Sequence, residues 1–125
     1  MATTKKILII DDDPDVQAIL RTMLERDGYQ VVAALDAMQG PMVTRKESPD
    51  LIILDIMMPA GGGAAVFQRL RQNTLTSHIP ILIYSAVPAE QIRHVLPQAD
   101  STPVLTKPVD LDRLTAEVKK LLPQG

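Results

Sequence analysis

The 125-residue sequence predicts an α/β fold: a doubly wound parallel sheet of five strands with helices on both faces. Three observations carry the prediction. Short β-branched apolar runs recur along the chain, and segments whose apolar residues repeat at helical spacing separate them. The runs at 7–10 and 51–54 are continuous instead of alternating, which suits strands buried on both faces. Both of those runs stop at an aspartate.

Taken in order, Ile7-Leu8-Ile9-Ile10 is the first strand. Val16, Ile19, Leu20, Met23 and Leu24 then form the stripe of an amphipathic helix. Asp13 is placed to cap that helix, Pro14 to open it, and Gly28 lies just past its end. Tyr29 to Ala34 reads as a second strand and Pro41 to Lys46 as part of a short, weakly patterned helix. Leu51 to Leu54 is the third strand, followed by a loop from Met57 to Gly63 and a helix carrying Val66, Phe67 and Leu70. Ile79 to Tyr84 and Val104 to Thr106 supply the last two strands, with a helix over Pro88 to Leu96 between them. Asp110 caps a final helix bearing Leu111, Leu114, Val118, Leu121 and Leu122. Pro103 directly precedes the fifth strand, so that strand belongs at a sheet edge. This favours the flavodoxin-like order 2-1-3-4-5, in which ligands bind outside the carboxyl ends of the strands.

Composition narrows the function. One domain is expected over 1–125, with its core over about 5–122. The absence of cysteine removes disulfides, thiolate zinc sites and cysteine nucleophiles. A net charge of −2 gives no electrostatic reason to bind DNA or an anionic membrane. No apolar run approaches the roughly 18 residues of a membrane span. A cytoplasmic protein is expected.

The chemistry gathers at the strand ends. Asp11, Asp12 and Asp13 close strand 1, Asp55 closes strand 3, Ser85 ends strand 4 and Lys107 follows strand 5. Strands 1 and 3 are neighbours under about 5 Å apart, so their carboxylates converge. Such a cluster calls for a cation, and oxygen ligands without cysteine or a well-placed histidine select magnesium, or manganese, over zinc. A lysine and a hydroxyl beside that cation suit a phosphoryl group carried by an aspartate nucleophile, with Asp55 as acceptor.

With Ile-Leu-Ile-Ile-Asp-Asp-Asp-Pro at 7–14, Asp-Ile-Met-Met-Pro at 55–59, Ser85-Ala86 and Lys107-Pro108, the chain resembles the receiver domains of two-component response regulators over nearly its whole length. The resemblance implies phosphorylation of Asp55 by the phosphohistidine of a sensor histidine kinase or a phosphotransfer protein. It also implies magnesium held by Asp11, Asp12, Asp55 and the backbone carbonyl of Met57. Ser85 and Lys107 would contact the phosphoryl group, and the bond to Pro108 would be cis. The expected output is a switched interaction with a downstream protein. The chain, as given, offers no segment for an output domain.

Several positions depart from the family pattern. Val104 stands where the family carries an aromatic residue coupled to the hydroxyl residue, and a short, stiff valine cannot reproduce that coupling. Tyr84 adjoins Ser85 on an alternating strand and should point to the opposite face. The Gly61-Gly62-Gly63 run is expected to raise backbone freedom beside the acceptor. Met57 and Val87 are apolar where the family tunes loss of the phosphoryl group, which implies a long-lived phosphoform.

Plainer readings compete at each residue. Taken singly, the aspartates are helix caps or turns, Lys107 is a surface charge, and His78 and His94 are solvated. Met23, Leu24, Leu114 and Val118 are core packing. The glycine run lacks the lysine and Ser/Thr of a P-loop. A phosphatase with an aspartyl-phosphate intermediate would need a second acid at position 57. A pseudo-receiver acting only as an interaction scaffold is the alternative that Val104 keeps open.

Overall fold

The structure, a computed structural model, describes residues 4–59, 62–108 and 110–122. Strands β1 (Lys6–Ile10), β2 (Gln30–Ala34), β3 (Leu51–Leu54), β4 (Ile81–Ser85) and β5 (Val104–Thr106) form one parallel sheet in the order β2-β1-β3-β4-β5. The intervening helices are α1 (Pro14–Arg26), α2 (Gln39–Glu47), α3 (Gly62–Gln72), α4 (Ala89–Val95) and α5 (Leu111–Leu121). β5 lies at the edge, and its entry through Pro103 leaves the residue's carbonyl free to accept from the Ile83 amide.

Strand alternation divides the apolar side chains between two layers. Leu8, Ile10, Ile52, Leu54 and Ile83 face α3 and α4 through Phe67, Leu70 and Ile92. Ile7, Ile9, Leu51, Ile53 and Leu82 face α1 and α5 through Leu20, Leu24, Leu114 and Val118. All four residues of β3 are buried, which is why its sequence is an unbroken apolar run.

The helix ends follow local chemistry. The Asp13 carboxylate accepts from the Asp15 amide at 2.9 Å, Pro14 opens α1, and Gly28 leaves it with φ +94°. Asp110 caps α5 in the same way through the Asp112 amide. α2 is longer than its weak pattern predicts because the Asp36 carboxylate accepts from the Gln39 amide and starts the helix two residues earlier. The predicted fourth helix is shorter: α4 gives way to a 3₁₀ turn at Pro97–Ala99.

The loop predicted from Met57 to Gly63 needs correction at its end. Gly62 and Gly63 belong to the first turn of α3, while Ala60 and Gly61 lie outside the described residues. Both glycines are buried. A β-carbon on Gly62 would stand 2.6 Å from that of Ala37, and one on Gly63 would overlap the backbone of Asp55 and Ile56. Their role is close approach, with α3 packed directly on the chain that carries Asp55.

Candidate functional site

The ladder continues past the strands and sets the site. The Asp55 amide donates to the Ile10 carbonyl at 3.0 Å, the Asp11 amide to Ala34, and the Lys107 amide to Ser85 at 2.7 Å. Asp11, Asp12, Asp55, Ser85 and Lys107 therefore follow the carboxyl ends of their strands along one rim of the sheet. Carboxylate oxygens of Asp11, Asp12 and Asp55 lie within 4.8 Å of one another, with Asp11 and Asp55 buried and Asp12 exposed.

Each buried carboxylate is held by the backbone. Asp11 Oδ1 accepts from the Asp13 amide at 2.9 Å, and Asp55 Oδ1 from the Met57 amide at 3.0 Å. Lys107 Nζ donates to Asp11 Oδ2 at 2.9 Å and lies 3.8 Å from Asp55 Oδ2. Burial pushes the Asp11 carboxyl above its ordinary value, although the Asp13 amide and Lys107 both pull it down. Burial pulls the Lys107 ammonium down, but its hydrogen bond to Asp11 and the charges of Asp11 and Asp55 outweigh that, so it titrates above an ordinary lysine. The arrangement combines an ionisable carboxylate, a pre-placed ammonium and an all-oxygen cluster suited to a hard cation.

Ser85 is fully buried, and its Oγ accepts from the Val87 amide at 3.3 Å. The Lys107–Pro108 bond is cis, as the resemblance implies. Met57 is largely exposed close after Asp55 in the chain. Val104, half-buried, pairs with Ile83 and packs against the α3–α4 layer, so no aromatic ring occupies that strand position. His78 and His94 are exposed and away from the cluster.

Two contributors escape the sequence reading. Gln17 is buried in α1, and its amide nitrogen lies within hydrogen-bond distance of the carbonyls of Ile9, Asp11 and Ala34 at 3.0–3.1 Å. It thereby stitches the ends of β1 and β2 behind Asp11. The signal was present, because a polar residue at 17 shares the stripe of Leu20 and Leu24, at i+3 and i+7. Tyr84 does point away from Ser85, into the α1–α5 layer, yet Lys107 Nζ sits 5.2 Å from the centre of its ring. Alternation predicts the ring's face but not the return of the lysine over it.

Comparison with known proteins gives the class. The family profile of the response regulator receiver domain matches residues 7–119, and the chain belongs to that family. It is 40% identical over 94% of its length to the DNA-binding dual master transcriptional regulator RpaA of Synechocystis, of which it spans 48%. It is 33% identical to Protein PilH of Pseudomonas aeruginosa, covering 94% of this chain and 97% of that one. A putative response regulator from Chloroflexus aurantiacus has the same fold, with a TM-score of 0.86 at 30% identity over 96% of this chain and 98% of the other. The chain thus spans about half the length of some curated relatives and nearly all of another. Receiver domains are regulatory modules of two-component systems rather than conventional enzymes. No described helix is long and apolar enough to cross a membrane.

Proposed function

We propose that this receiver domain accepts a phosphoryl group on Asp55 from the phosphohistidine of a sensor histidine kinase or phosphotransfer protein and thereby switches contact with a downstream protein in the cytoplasm. The observation that carries the reading is the convergence of Asp11, Asp12 and Asp55 within 4.8 Å, with the Lys107 ammonium 3.8 Å from Asp55. In the transfer an Asp55 carboxylate oxygen forms the new bond to phosphorus. The phosphorus–nitrogen bond breaks, and its electron pair returns to the donor imidazole.

The residues present fit a divalent cation, since three carboxylates supply oxygen ligands and no cysteine thiolate competes. Asp11, Asp12, Asp55 and the Met57 carbonyl would hold magnesium, with manganese as the substitute. The ion would neutralise charge on the phosphoryl oxygens. The protein's own groups do the rest. The Met57 amide fixes one Asp55 oxygen and so orients the other, and Lys107 offers its charge to the incoming anion. The Ser85 hydroxyl serves as a hydrogen-bond donor to a phosphoryl oxygen. With apolar side chains at Met57 and Val87, no group there orients a water for hydrolysis, which supports a persistent phosphoform.

Intact-mass spectrometry after incubation with acetyl phosphate and magnesium tests the reading. One phosphoryl adduct on the wild type, lost in Asp55→Asn, is expected. No adduct on either chain would leave the scaffold reading in its place, and an adduct persisting in Asp55→Asn would assign the acceptor elsewhere.

A further inference from the structure

Away from the rim, α2 and α3 leave a groove whose chemistry is the reverse of the acidic site. Two clefts of about 310 and 250 Å³ run between these helices and share Met38, Pro41 and Arg69. Met38 is 76% exposed and Met42 56%, and the two lie side by side on the same cleft, forming a contiguous apolar patch. Arg45 and Arg69 flank the methionines. Among the described residues neither arginine has an ion-pair partner, and no carboxylate lines either cleft. The nearby acids are committed elsewhere: Asp36 accepts from the Gln39 amide, Asp50, which lines a neighbouring cleft with Arg45, accepts from the Lys6 amide, and Glu47 pairs with Lys6 at 3.0 Å.

From this pattern we infer that the α2–α3 groove docks an acidic, amphipathic helix of a partner protein. Methionines give an adaptable apolar floor, which suits a helix laid in by its i, i+3, i+4 and i+7 side chains. Two unpaired guanidinium groups at the edge select carboxylates on the flanks of that helix and disfavour a basic one. The nine residues of α2 span roughly 14 Å, room for two to three turns of the guest. The proposal goes beyond the phosphoacceptor reading and does not depend on it, since the groove is formed in the structure as it stands.

The probe is a helical peptide of roughly four turns, with leucines at i, i+3, i+4 and i+7 and glutamates on both flanks, titrated into the intact chain by fluorescence anisotropy and by amide chemical-shift mapping. Shifts confined to α2 and α3 are expected, together with a loss of at least about tenfold in affinity in the double variant Arg45→Glu, Arg69→Glu. A lysine-flanked version of the peptide should bind that double variant better than the wild type. Circular dichroism of the variant checks that it folds, and Met38→Asp gives a second, charge-independent loss. Equal binding of both peptides to the wild type, shifts centred on Ile19 and Leu111 instead, or no binding would each overturn the proposal. So would a concentration-dependent dimer in sedimentation that Met38→Asp abolishes, because a second copy would then be the occupant.

Discussion

The two halves of the rim are built to different tolerances. On the β1–β3 side, Asp11 and Asp55 each have one oxygen fixed by a backbone amide, Gln17 ties three carbonyls behind them, and Gly63 seats α3 on the backbone of Asp55. On the β4–β5 side the Ser85 hydroxyl makes one long contact to Val87, and Val104 provides no ring to couple to it. Phosphoryl chemistry needs its charges held in place before the substrate arrives, whereas a switch needs a part that can relax. Under the proposed phosphoacceptor reading, the difference puts the more tightly bonded groups on one side and the less tightly bonded ones on the other.

Breaking the fixed side, or the Lys107 bond that reaches across to it from the end of β5, should cost most. Gly63→Ala forces a methyl group into the backbone of Asp55 and Ile56, and a loss of about 3 kcal/mol in urea denaturation is expected. Lys107→Met should cost about 2 kcal/mol at neutral pH, because it strips the partner from a buried Asp11, tempered by the lysine's own partial exposure. That loss depends on pH. A carboxyl whose folded pKa lies above its unfolded value gives stability that is present below the unfolded value, 3.8, and lost as pH rises through the folded one. Removing Lys107 lifts the folded value further, so the deficit should shrink toward acid and be complete at neutrality. Urea midpoints at about pH 4.5 and pH 7.5 measure it. Ser85→Ala, on the adaptable side, should change stability by less than about 1 kcal/mol, since only one weak hydrogen bond is lost. A loss as large as that of Lys107→Met would erase the contrast between the two halves.

Much of this was legible in the sequence, for identifiable reasons. The unbroken apolar runs of β1 and β3 report burial on both faces, Asp13-Pro14 reports a capped helix, and Pro103 reports an edge. The convergence of the candidate site residues was legible because a parallel sheet places every strand's carboxyl end on one rim, so residues far apart in sequence needed no further information to be brought together. The close packing of Gly62 and Gly63 is not legible, because composition cannot distinguish a glycine that moves from one that is pressed against its neighbour. The polar residue at 17 within the apolar stripe of α1 is legible, but its carbonyl acceptors come from two strands, a tertiary fact that no local pattern carries. The α2–α3 groove was equally hidden: Met38 precedes a weakly patterned helix, and its exposure depends on how α3 sits beside it.

The position of Lys107 over Tyr84 has an optical consequence. The chain contains no tryptophan, and its other tyrosine, Tyr29, lies at the opposite end of the sheet, where β2 begins. Ultraviolet emission from the unlabelled protein therefore includes a ring whose nearest cation belongs to the acidic rim. When an anion arrives and draws that ammonium away, the phenol's surroundings change, and the Tyr84 component of the emission, isolated in Tyr29→Phe, should follow the event without any dye.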